Sequence, residues 1–149
     1  MTINKEPITL FKYNHYAVTV NLEGITHEES LISPKAGGNC INWILGHILY
    51  NRDFGLNIAG QELICDEKFA DLYGTGTKLS EPQKAIALDE LISKFNRSQE
   101  ILLKGLSEND LKDSEEKTDY LIGLGFHEAY HAGQLGILRR TLGKPGKIG

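Results

Sequence analysis

The chain has 149 residues, enough for one domain that buries about two-thirds of its unfolded surface. Hydrophobic residues make up 40% and charged residues 24%, which excludes a disordered chain. The net charge of -4 is interspersed along the chain, so no basic face is offered to nucleic acid, and no apolar run is long enough to span a bilayer.

The first ten residues lack the basic start and apolar run of a signal peptide. Cys40 and Cys65 stand in no metal or redox spacing. The expectation is a cytoplasmic protein with reduced thiols.

The first predicted helix runs from about Glu6 to Leu22. Its stripe is Phe11, His15, Val18 and Leu22, with Leu10, Asn14 and Ala17 beside it, and Gly24 ends it. Thr26 to Gly38 reads as a connection with room for one short turn of helix. Asn39 is placed to cap a second helix that runs to about Ala59, with Gly60 as its stop. Trp43, His47, Tyr50 and Phe54 form its inward stripe, flanked by Ile44, Ile48 and Asn51, and Gly46 lets another group approach beside His47. Gln61 to Leu79 is a long connection with a short helix expected near Glu67 to Tyr73. It is long enough to reach back along a helix of about 30 Å, so the second and third helices could run parallel.

The third helix has a start signal in Ser80-Glu81-Pro82-Gln83, which offers a cap, an early proline and a capping-box glutamine. Its stripe is Leu88, Leu91, Ile92, Phe95, Gln99, Leu102 and Leu106. A polar connection from Ser107 to Lys117 leads to the fourth helix, from about Thr118 to Leu142, with Gly143 and Pro145 beyond it. Its basic end, Arg139 and Arg140, suits a helix C-terminus. Strand signals are nearly absent, so the expected fold is a single all-α domain over residues 1–149, a four-helix bundle.

Leu124, His127, His131, Leu135, Leu138 and Leu142 follow at spacings of three and four. His127 and His131 therefore stack one turn apart on an apolar face, where leucines would be expected. Buried imidazoles need partners, and a divalent metal satisfies several at once. The plainer alternative is a set of core histidines hydrogen-bonded to tyrosines or backbone. With His47 there are three imidazoles from two helices, the donor set of an open zinc site, although imidazole also suits nickel, iron and copper. With no carboxylate ligand, such a site keeps its positive charge and acidifies a bound water or thiol.

His15 could add a ligand or a supporting hydrogen bond, whereas His27 follows a loop signal and is expected exposed. Asn51 and Gln134 stand one turn from His47 and His131, where each could orient a ligand or bond a substrate, as could Tyr13, Tyr16 and Tyr130. Ala129, Gly133 and Gly136 form a small-residue strip suited to close helix packing or to a dimer contact.

His127-Glu128-Ala129-Tyr130-His131 also matches the metallopeptidase pattern in which the glutamate is general base. No further histidine follows His131 and no acidic residue follows Glu128 to complete that site, and there is no sheet edge to hold a peptide. Glu128 remains a candidate acid/base in another reaction, beside a solvated or capping role.

Asn39-Cys40-Ile41-Asn42-Trp43-Ile44-Leu45-Gly46-His47-Ile48, followed by His127-Glu128-Ala129-Tyr130-His131-Ala132-Gly133-Gln134, resembles the DinB-like (damage-inducible, or YfiT-like) superfamily over nearly the whole chain. The resemblance implies an up-down-down-up bundle and a nickel or zinc ion on His47, His127 and His131. It implies a homodimer, and a thiol-dependent transferase or a hydrolase acting on a small molecule. Relatives that use low-molecular-weight thiols make transfer and hydrolysis equal expectations here. The chain ends soon after the fourth helix, without the further domain some of those relatives carry. The electrophile would lie in a cavity near Trp43. Two other readings stay open: a metal-binding, stress-associated bundle without turnover, and a plain structural bundle.

Overall fold

The computed structural model describes residues 3–111 and 113–149. Six α-helices and one 3-10 turn account for the regular structure, with no strand among the described residues, so the chain is all-α. The long helices are α1 (Lys5–Leu22), α3 (Ile41–Ile58), α5 (Leu88–Glu108) and α6 (Glu115–Thr141). Two short ones, α2 (His27–Ser30) and α4 (Glu67–Tyr73), lie in the connections expected to hold them. No described helix is long and apolar enough to cross a membrane.

Local chemistry sets most of the boundaries. A complete capping box between Thr26 and Glu29 starts α2, and the Asp66 carboxylate accepts from the Phe69 N–H to start α4. Ser114 caps α6, with Glu115 and Glu116 in its first turn and Arg139 and Arg140 in its last. Two predicted starts are corrected. Cys40, not Asn39, occupies the cap position of α3 and makes no side-chain cap, because Cys40 and Ile41 are buried and their packing sets the entry. The Ser80 signal yields only the 3-10 turn Pro82–Lys84, and α5 begins at Leu88. The reason is tertiary: the Tyr73 hydroxyl accepts from the Ile86 N–H at 2.9 Å, and Asn42 Nδ2 donates to the Ile86 carbonyl, also at 2.9 Å. Those bonds hold the chain extended at Ala85 and Ala87, with ψ of 140° and 137°.

Each long helix packs on two others, α1 on α6 and α5, and α3 on α5 and α6. Asn14 donates to the Gly125 carbonyl, and Arg139 near the end of α6 to the Asn21 carbonyl near the end of α1, so α1 and α6 run the same way. Asn4 reaches the Leu106 carbonyl, while His15 stacks on Phe95, so α5 runs opposite to α1. Like ends of α3 and α5 meet through Arg52 with Ser98 and Gly55 with Leu102. The link over residues 59–87 carries the chain back along α3.

The apolar core forms two clusters. One contains Val18, Ile44, Ile48, Tyr73, Phe95 and Leu135; the other contains Ile8, Phe11, Leu56, Leu102, Leu106 and Leu121. Between them lies a buried polar layer of Arg52, Ser98, Gln99 and Glu128. The α3 stripe departs from expectation in its second half: Arg52 and Leu56 are buried, while Phe54 is 42% exposed. The N-terminal half of α3 is buried all round, because α4 packs on the side left open by the other long helices.

Candidate metal centre

The three histidines of the sequence reading meet where α3 crosses α6. One ring nitrogen from each of His47, His127 and His131 lies within 4.8 Å of the others. His47 and His131 are buried and His127 is half-buried. His127 Nε2 and His131 Nε2 are 3.1 Å apart. Two nitrogens each about 2.0 Å from one tetrahedral zinc stand about 3.3 Å apart, so the donors fit a common ion.

Two of the three histidines are oriented by acceptors on their far side. His47 Nδ1 donates to the Tyr73 carbonyl at 2.8 Å, which fixes the proton on Nδ1 and leaves a lone pair on Nε2. His131 Nδ1 faces Gln134 Oε1 at 2.7 Å, with the same consequence. Asn51 Nδ2 is 3.2 Å from His47 Nε2 and also donates to the His47 carbonyl. Thus Asn51 and Gln134 both touch histidines of the cluster. Trp43 stacks on the His47 ring at 4.5 Å and donates from Nε1 to Thr77 Oγ1 at 3.0 Å. It covers one face of the His47 ring.

Gly46 makes this possible. A Cβ there would lie 2.2 Å from Tyr73 Cδ1, so the helix must be bare for the Tyr73 ring to lie against it. The close approach expected beside His47 is made by α4. The Tyr73 hydroxyl donates to Asn42 Oδ1 at 2.8 Å, which pins the ring whose own carbonyl orients His47.

Burial favours the neutral form of all three imidazoles, the form that binds metal. It pushes His131 down to about 4, against the Gln134 bond and with help from its histidine neighbours. Desolvation also lowers His47, opposed by the Tyr73 carbonyl, and His127, opposed by the Glu128 charge.

The remaining candidates separate. His15 stays outside the cluster, stacked on Phe95 at 4.8 Å and lowered to about 4 by burial and the Arg52 charge. His27 is half-buried rather than exposed, because its Nδ1 accepts from the Leu88 N–H at 3.2 Å and so caps α5. Glu128 is not solvated: it is 3% exposed, and its two oxygens take Arg52 Nε at 2.9 Å and Nη2 at 2.7 Å. Arg52 also donates to Ser98 Oγ at 2.9 Å and lies 4.1 Å over the Phe95 ring. Tyr13, Tyr16 and Tyr130 are largely exposed, though the Tyr130 ring is 5.3 Å from His131. In the small-residue strip, Gly133 faces open space; the close packing is at Gly125, where a Cβ would meet Leu10 at 2.3 Å.

Sequence reasoning missed Arg52 and Tyr73. A single cation inside the apolar run of α3 was the available signal for Arg52; a backbone carbonyl acceptor leaves none. No family model matches the chain, and no curated protein matches it significantly. The site therefore rests on its own geometry, whose chemistry is that of three neutral nitrogens converging from two helices.

Proposed function

We propose that this protein is a metal-dependent enzyme of DinB-like type, an up-down-down-up four-helix bundle with one divalent ion, nickel or zinc, on His47, His127 and His131. The observation that carries the reading is the convergence of three buried or half-buried ring nitrogens within 4.8 Å. The helix directions and the resemblance of both histidine motifs to those of the superfamily support the same reading. A divalent metal there supplies a Lewis acid that brings the pKa of a water or a low-molecular-weight thiol toward neutrality. The Tyr73 carbonyl and Gln134 hold the Nδ1 protons of His47 and His131, so both Nε2 lone pairs point inward. Trp43 excludes water from one face of His47, and the exposed Tyr130 stands at the solvent side, where a small electrophile would enter. Glu128 is occupied by Arg52 and supports the site rather than moving protons in the reaction. The products are those of thiol transfer or hydrolysis of a small molecule, and the working form is a homodimer.

A second reading, metal binding without turnover, is favoured by one observation. The cavity beside His127 measures about 10 Å³, too small for an organic substrate. The test is elemental mass spectrometry on untagged protein beside a His127→Ala/His131→Ala variant, followed by a screen of thiols against electrophiles. About one ion per chain, lost in the variant, together with turnover in the screen, supports the enzyme. Metal without turnover selects the second reading. Absence of bound metal after addition of zinc or nickel refutes both.

A further inference from the structure

The least satisfied ligand is His127. Its Nδ1 is buried without a protein partner, unlike the Nδ1 atoms of His47 and His131. His127 also lines a cavity of about 10 Å³, at the lower limit for one water molecule. The polar groups lining it are Asn51, Arg52, His127 and Glu128, with apolar side chains from α1, α3 and α6 completing the wall. A buried ring nitrogen without a partner is costly, and a cavity of this size with polar side chains in its wall has room for one water to answer it.

The protonation pattern makes the arrangement more specific. His131 carries its proton on Nδ1, facing Gln134 Oε1, so its Nε2 can only accept. In the 3.1 Å contact between the two Nε2 atoms, His127 must then donate, which places its proton on Nε2 and leaves Nδ1 bare. When His127 Nε2 instead gives its lone pair to a metal, the proton must sit on Nδ1. One proton leaves Nε2 and one is taken up at Nδ1, so the ring stays neutral. The new Nδ1–H then requires an acceptor. Arg52 only donates. The Glu128 carboxylate accepts one bond from Arg52 on each oxygen and has lone pairs to spare.

Resting on the metal reading above, we propose that this cavity holds one ordered water that joins His127 Nδ1 to the Glu128 carboxylate. The water donates to Nδ1 in the metal-free protein and accepts from Nδ1–H in the loaded one, so Glu128 and Arg52 are positioning residues for the His127 ligand. Arg52 comes from α3, five residues after His47, and Glu128 follows His127 on α6, so the ion pair links the two helices that supply the ligands. A water can reverse its role at Nδ1 without any side chain moving, which a direct acceptor could not do.

The experiment uses the full chain as wild type, Arg52→Met/Glu128→Leu and Arg52→Gln/Glu128→Gln. Zinc affinity is measured by competition with a chromophoric chelator, metal-free melting temperature is recorded, and the histidine rings of the wild type are followed by nitrogen-15 NMR with and without zinc. The expected result is a His127 proton on Nε2 without zinc and on Nδ1, slow to exchange, with zinc. The apolar double variant should keep its fold and lose about 10- to 100-fold in zinc affinity, the effect usual for an outer support of a ligand. The Glu128→Gln change in the other double variant keeps an amide oxygen that accepts from the water, so that protein should recover part of the loss. Unchanged affinity in a folded apolar variant overturns the proposal, as does a His127 Nδ1–H in the zinc form that exchanges like a surface imidazole. If the apolar variant does not fold, the NMR result decides alone. A wild type that binds no zinc at all is a different outcome, because it removes the metal reading itself.

Discussion

Gly46→Ala tests whether the end of α4 builds the three-histidine cluster. The new Cβ would stand 2.2, 2.4 and 2.6 Å from Tyr73 Cδ1, Cγ and Cε1, against about 3.5 Å or more for an ordinary carbon contact. The ring must therefore retreat by about 1.3 Å. It is not free to do so, because its hydroxyl is held by Asn42 and Ile86 and its carbonyl by His47. Overpacking of this kind costs about 1–3 kcal/mol, and each lost hydrogen bond adds about 1 kcal/mol. Alanine returns about 1 kcal/mol through helix propensity. The net expectation is a destabilisation of about 2–4 kcal/mol, a fall in melting temperature on the order of 5–15 °C for a chain of this length. Zinc affinity should fall about tenfold, because the acceptor for His47 Nδ1 moves with the ring. Gly133→Ala is the internal control: its Cβ meets open space, so the same substitution should stabilise by up to about 1 kcal/mol. Urea denaturation of both metal-free variants measures the difference. A Gly46→Ala protein as stable as wild type would refute the packing argument.

Arg52→Ala leaves the Glu128 carboxylate buried and unpaired, and should lower stability by about 3–5 kcal/mol in urea denaturation. Acid should destabilise the metal-free protein. His15 and His131 have folded values near 4, below the unfolded value of 6.5, so the unfolded chain binds more protons between those limits. Their contribution is complete above pH 6.5 and falls as pH drops toward 4, by about 1–2 kcal/mol each at pH 5. Stability measured at steps between pH 7 and 4 checks the sign; constant stability across that window would contradict it. Zinc at about 100 times its dissociation constant should raise stability by about 2.7 kcal/mol in calorimetry, and His127→Ala/His131→Ala should abolish that gain.

The all-helical class and the three histidines were legible because each rests on local periodicity. The α5 stripe from Leu88 to Leu106 and the stacked pair His127 and His131 need only a helix to come together. What escaped was decided by partners distant in sequence. The Ser80-Glu81-Pro82-Gln83 signal is a sound helix start by local rules, but Asn42 and Tyr73 hold Ile86 extended and delay α5 until Leu88. Likewise Glu128 reads as a polar residue beside a histidine until Arg52, 76 positions earlier, is seen to meet it. The caps divide in the same way. Thr26 and Ser114 act through neighbours three residues away, whereas Cys40 is set by burial.

The position of the buried ion pair bears on what it does. A buried arginine–glutamate pair seldom stabilises a fold better than apolar residues of the same volume, since desolvation offsets most of the attraction. In this protein it interrupts an apolar core that would otherwise run unbroken from Ile8 at one end to Leu138 at the other. A purely structural role gives no reason for that interruption. A positioning role gives one, because the pair lies where α3 and α6 must hold a fixed register for His47 to face His127 and His131. The two roles also predict different trade-offs. If the pair serves the fold, replacing it with methionine and leucine should lower stability and leave the affinity of the folded protein unchanged. If it serves the site, the same replacement should leave stability level or higher while zinc binding weakens.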